Sequence, residues 1–444
     1  MRNRYLDLLR AAATVRVVVY HSTGWAALTI VFPAMSVMFA LAGSMMAASL
    51  DRYGPFAVER RLHRLLPSLW VLAAIAVPAM LAVGMAWDWQ VLLWAFPIVD
   101  PPAEGFWLQG LAAMWYLRDF LWFVLLSPLL LPLFRRFPLT TLSLPYVALA
   151  AITFAGVTPH LIVRDLALYG GAWLLGFAHH DGLLSPRRAT RSVAAASSRL
   201  SSMQGLLSSA RRWSGPSAPV SPMSGPSSPI SPAPASSCRA VRVSSAPAAS
   251  GSPVRVSSAS VSPSCSGAAH DDRPEPVRGA ALARYRWWLV AVLGVTGAVW
   301  AVTHPGPRGF DLNDIPLANA LWSAAFILVV LGISPRVAPR RALTVLNARA
   351  LTIYLWHVPL IIAVVRLAEA TGLPVQGWVG ITWRLAVVSL LLAVVVLAVG
   401  WIEDISAGRR PALIPGRARR VAPVSPAPAG ASNRLTEQAG ATRS

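Results

Sequence analysis

Apolar runs long enough to cross a hydrocarbon core of roughly 30 Å recur along the chain. Ten of them lie near residues 9–30, 33–50, 67–86, 108–134, 139–158, 165–180, 287–303, 317–334, 350–367 and 378–402. The polar punctuation between them alternates in charge. Placing the N-terminus inside puts Arg52, Arg60, Arg61 and Arg64, then Arg135 and Arg136, the arginines between 187 and 286, Arg336, Arg340, Arg341 and Arg349, and finally Arg409 and Arg410 on one side. The other side receives Asp88, Asp100, Glu104, His160, Arg164, His304, Arg308, Asp311, Asp314 and Glu369. Basic segments stay on the cytoplasmic side. The pattern therefore predicts an all-α, polytopic transmembrane helix bundle of about ten spans in the cell membrane, with both termini cytoplasmic. The first run continues without a small-residue cleavage site, so it is expected to remain as an anchor.

Two stretches break the rhythm. Residues 183–283, with runs such as SGPSAPVSPMSGPSSPISPAPASS, have no apolar period and cannot bury enough surface to offset ordering entropy. They read as a disordered Ser/Pro/Arg-rich cytoplasmic loop, which divides the membrane domain into residues 1–182, with six spans, and 284–405, with four. Residues 406–444 read likewise as a disordered basic tail.

Composition narrows the class. Of 444 residues 55 % are hydrophobic and only 13 % charged, against about a quarter charged in soluble domains. The net charge of +21 comes entirely from arginine, since the chain has no lysine. Those arginines sit between apolar runs, which argues for loop topology and against nucleic acid as a partner. Cys238 and Cys265, both in the low-complexity stretch, offer neither a disulfide framework nor a metal site.

The chemistry concentrates in the first run, RYLDLLRAAATVRVVVYH. Eleven positions separate Arg10 from His21, roughly 1100° of helix and about 16 Å, so the two share a face. Charge inside a spanning helix is costly and usually faces a wet cavity. Asp7 lies near the same face, and Arg16 points about 140° away from His21. The plainer alternatives are an interfacial anchor for Arg10 and a packing role for His21. In the fourth run, Arg118 and Asp119 are helix neighbours that cannot face each other, so cross-helix partners are expected, Arg16 with Asp119 among them. His357 reads as a packing residue or a second polar lining group.

Taken together these stretches resemble the acyltransferase-3 family of integral membrane O-acyltransferases. The resemblance rests on an Arg, ten residues and a His in the first span; on VMFALAG at 37–43, with Ala42 where Ser is usual; and on FAVERRLHRLLP at 56–67, similar to the family's basic loop, with Pro67 opening the third span. MWYL at 114–117, TIYLWHVPL at 352–360, and Trp401 with Glu403 also fit. It implies transfer of an acyl group, acetyl being expected, from acyl-CoA to a hydroxyl of a carbohydrate or small natural product. Acyl-CoA is then a donor substrate, and no tightly bound cofactor or metal is expected. His titrates near pH 6.5 and suits the removal of a hydroxyl proton, which makes His21 the base, with Arg10 below it. Arginines bind phosphate bidentately, which makes Arg61 and Arg64 the donor's contacts. Arg16, Trp115, Tyr116, Asp119 and His357 are expected as cavity lining. The enzyme reading requires Arg10, Arg61, Arg64 and His21 to border one cavity. A transporter or flippase with an Arg/His-lined cavity is the alternative, and would place its site at the midplane.

Overall fold

A computed structural model describes residues 4–110, 114–184, 279–333, 335–338 and 340–413. Helix α1 (Arg4–Thr23) ends where Gly24, at φ +70°, donates its N–H back to the Tyr20 carbonyl and reverses the chain. A short α2 (Ala27–Val31) and Pro33 lead into α3 (Ala34–Tyr53). There follow α4 (Phe56–Ala82), a 3₁₀ turn (Trp89–Trp94), α5 (Phe106–Gly110), α6 (Met114–Arg136), α7 (Pro138–Ala155) and α8 (Leu161–His180). The second part contributes α9 (Gly279–Thr303), a 3₁₀ turn (Leu312–Asp314), α10 (Pro316–Gly332), α11 (Arg341–Ala348), α12 (Ala350–Thr371), α13 (Gly377–Val399) and α14 (Ile402–Ser406). Among the described residues only helices, turns and one isolated bridge occur, so the all-α expectation holds.

Among the described residues eight helical stretches are long and apolar enough to cross a membrane, against ten runs read from the sequence. The difference lies in two helices. The apolar α10 has 17 residues. Helix α1 has 20, but Arg4, Asp7, Arg10 and Arg16 lower its hydropathy. What holds α1 in place is its packing on α3, α11, α12 and α13.

The core is the seam between α3 and α8, where small residues let two backbones meet. A Cβ on Gly43 would lie 2.3 Å from the Trp173 carbonyl oxygen, and one on Gly176 would lie 2.1 Å from that of Ala40. Phe39, Phe123, Trp173 and Phe177 fill the space beside it. By contrast α7, α9 and α13 expose Val147, Val295 and Leu390, the apolar outer surface a bilayer requires.

Three boundaries depart from the sequence reading. The basic stretch at 56–66 is not a loop: α4 begins at Phe56 and runs through Pro67 and Pro78. A proline inside a helix removes one backbone donor and kinks the helix without necessarily ending it. Helix α9 starts at Gly279, before the expected boundary at 284. Residues 406–413, expected in the tail, pack against the bundle: the Ala412 N–H donates to Asp404 and Ser406 Oγ to the Arg64 carbonyl. The remainder of the loop read over 183–283 and of the tail, 185–278 and 414–444, lies outside the described residues.

Candidate active site

The arginine-rich end of the bundle holds a cavity of about 770 Å³. Helix α4 places Arg61 and Arg64 on its wall, because residues three apart share a helix face. Arg60 falls off that face and lies over the Tyr53 ring, 4.1 Å from its centroid. Arg10 enters from α1, Tyr116 from α6 and Tyr354 from α12, and the segment after α14 adds Arg409 and Arg410. Asn347 of α11 ties the wall together by donating to the Asp7 carbonyl, 2.7 Å.

Five arginines thus face three acidic residues, Asp7, Glu403 and Asp404. Glu403 accepts the Thr352 N–H, 2.7 Å, and the Thr352 hydroxyl. Burial pushes its carboxyl above the ordinary value, against the pull of those bonds. Asp404 pairs with the buried Arg349, 2.6 Å, and with Arg409, 3.0 Å. Among the described residues Arg61 and Arg64 have no ion-pair partner. Their charges are therefore available to an anionic ligand.

His21 does not border this cavity, contrary to the expectation that one cavity joins it to Arg10, Arg61 and Arg64. It occupies the far end of α1, where it is exposed and surrounded by a second polar centre. The preceding Tyr20 donates its hydroxyl proton to Asp311, 2.6 Å, and accepts from Arg308, 3.0 Å. Arg308 forks onto Asp314 with contacts of 2.9 and 2.6 Å. That pairing holds the Asp314 carboxyl below its ordinary value and raises the guanidinium. What stands between the two centres is a row of rings. Tyr116 and Tyr354 are 4.9 Å apart, Tyr354 and His357 5.5 Å, His357 and His21 5.2 Å.

Of the other expected lining residues, only Tyr116 reaches the cavity. Trp115 stacks on Tyr169 at 5.3 Å, and His357 lies behind Tyr354 in the ring row, 0 % exposed. The expected pairing of Arg16 with Asp119 does not form. Arg16 donates to the Leu28 carbonyl, 3.1 Å, and covers the Tyr20 ring. Asp119 is instead bound by its neighbour Arg118, Nε to Oδ1 2.9 Å, because a long guanidinium stem bends back over its own turn. Arg118 also meets Asp165, 2.6 Å, and Asp100, and is 2 % exposed.

Asp51, His180 and Asp181 bring possible ligand atoms within 4.8 Å of one another. Arg135 forks onto both carboxylates there, at 2.8 to 3.0 Å, so a guanidinium already supplies the positive charge. The sequence reading missed Tyr354, Arg409 and Arg410. The one available signal was a pair of arginines within ten residues of the last span.

A family model described as an acyltransferase domain matches residues 3–218 and 264–402. No curated protein and no solved structure matches the chain.

Proposed function

The chain belongs to the acyltransferase-3 family and is a multi-pass membrane O-acyltransferase, and on that footing we propose that it moves an acyl group, acetyl in the simplest case, from acyl-CoA to a hydroxyl of a carbohydrate or small natural product. The observation that carries the donor is the convergence of Arg10, Arg61 and Arg64 on one cavity of about 770 Å³. Coenzyme A carries a pyrophosphate and a ribose phosphate, and forked guanidinium groups match their oxygens. The arginine-rich end then faces the cytoplasm, where the donor is found, in the plasma membrane with both termini inside.

For the acyl arm to pass from the phosphate-binding end along α1 to His21, the Tyr354 and His357 rings that fill the space between them must move aside. There the imidazole takes the proton of the acceptor hydroxyl. The hydroxyl oxygen forms a bond to the thioester carbonyl carbon, the carbon–sulfur bond breaks, and the departing thiolate takes up the proton that His21 received. Arg10 holds the donor below that point. A transporter reading draws less support, because the cavity lies against the basic turn of α4 rather than at a midplane site between broken helices.

The test uses full-length protein purified in detergent, with acetyl-CoA as donor and release of free thiol as the signal. His21→Ala is expected to lower turnover at least about 100-fold while the protein stays folded. Turnover within about threefold of the parent removes His21 as the base.

A further inference from the structure

His357 is 0 % exposed and sits on α12 one turn from the cavity-lining Tyr354. Its Nδ1 lies 2.6 Å from the Tyr354 carbonyl oxygen. A carbonyl only accepts, so Nδ1 carries the proton and Nε2 presents a lone pair. Among the described residues that Nε2 has no hydrogen-bond partner. A buried polar atom left unpaired is costly, and in a native structure it calls for an explanation. The nearest ring bearing a donor is that of His21, with centroids 5.2 Å apart and planes at 58°. This separation suits an N–H···N bond between two imidazoles, whose heteroatoms need to be only about 2.9 Å apart; the bond requires the exposed His21 ring to turn about its side-chain bonds until an N–H faces Nε2.

We propose that His357 is a positioning residue for His21: its buried Nε2 accepts the His21 N–H, which fixes one tautomer and leaves the other His21 nitrogen bare toward the acceptor hydroxyl. The chain of contacts begins at the α12 backbone, since the Tyr354 carbonyl sets the His357 tautomer, and His357 in turn sets that of His21. Other groups around His21 do not offer the same service. Arg16 is turned to the Leu28 carbonyl, Arg308 and Asp311 are engaged with Tyr20, and Arg384 of α13 donates to the Ser22 carbonyl. None of these presents a bare acceptor. The proposal rests on the reading of His21 as the base, and its test separates the two.

Full-length protein labelled with ¹⁵N-histidine, in the parent and in His357→Gln and His357→Leu forms, is examined by long-range ¹H–¹⁵N correlation. This measurement needs no substrate. The expected parent spectrum shows His357 protonated at Nδ1 and His21 in one neutral tautomer. His357→Leu turns His21 into a mixture of tautomers, and His357→Gln, whose amide oxygen accepts in place of Nε2, restores the single form. With acetyl-CoA as donor, His357→Leu lowers kcat about 100-fold with donor KM within about twofold, and His357→Gln recovers most of the loss. The pH profile of His357→Leu also shifts, since the tautomer and charge of His21 are no longer set by a neighbour. A His21 spectrum unchanged across the three proteins overturns the proposal, as does a kcat for His357→Leu within about threefold of the parent. If His21→Ala remains active as well, the base assignment falls. If His21→Ala is inactive while His357→Leu is not, only the positioning role falls.

Discussion

Arg118 and Arg61 both lie on membrane helices, α6 and α4, yet their surroundings are opposite. Arg118, 2 % exposed, is ringed by Asp100, Asp119 and Asp165. Arg61, with Arg64 one turn on, borders an open cavity and meets no carboxylate among the described residues. A guanidinium whose charge is matched inside the protein holds helices together. One whose charge is unmatched is free to bind an anion from outside. Arginine in an apolar run is therefore no guide to a site until its counter-charges have been located.

The contrast yields predictions in falling order of effect. Arg118→Leu strips the buried Asp119 of its cation and leaves Asp165 with Arg164 alone, and breaking a buried pair costs about 3–5 kcal/mol. The variant should lose most of its folded, monodisperse fraction in detergent, as read by thermal unfolding. Normal unfolding would show that the cluster is not a structural clamp. Arg61→Ala and Arg64→Ala should each unfold as the parent does, within about 0.5 kcal/mol. Their donor KM should rise about tenfold or more, since a charge-assisted hydrogen bond contributes about 1.5–3 kcal/mol. An unchanged KM would put the donor elsewhere. Arg410→Ala, which removes an exposed charge at the cavity mouth, should raise donor KM only a few-fold, and added salt should shrink the difference.

The smallest effect lies at the far end of α1. Arg308 lowers the Asp314 carboxyl below its unfolded value. The pairing therefore stabilises the fold above the ordinary carboxylate range and is lost as pH falls through the lowered value. With Arg308 exposed, the contribution should be under about 1 kcal/mol. Arg308→Gln should flatten that acid-side fall in melting temperature, and an identical fall in both proteins would refute the pairing.

Much of this arrangement was legible in the sequence. Hydropathy gave the helices, because each apolar run buries or faces lipid along its whole length. The three-residue spacing of Arg61 and Arg64 put both on one face, and the position of Arg10 near the start of α1 set it at the same end. Other features needed coordinates. The bend that lets Arg118 bind its own neighbour depends on side-chain reach rather than on helix angle. The start of α4 at Phe56 was hidden because Pro67 looks like an opening residue, while a spanning helix tolerates it as a kink. Distance along α1 said nothing about what fills it, so the barrier of Tyr354 and His357 between Arg10 and His21 could not be foreseen. The segment carrying Arg409 and Arg410 has a tail's composition, and it is brought back over the cavity by Asp404, which holds Arg349, Arg409 and the Ala412 N–H.

The seam between α3 and α8 bears on how genetic data should be read. A methyl group at Gly43 or Gly176 would collide with a carbonyl oxygen of the facing helix. Random mutagenesis scored by loss of product will therefore flag both glycines as strongly as His21, although neither can take part in the chemistry. Measuring how much protein accumulates in the membrane separates the two kinds of hit: the glycine variants should be scarce, and the histidine variant abundant and silent.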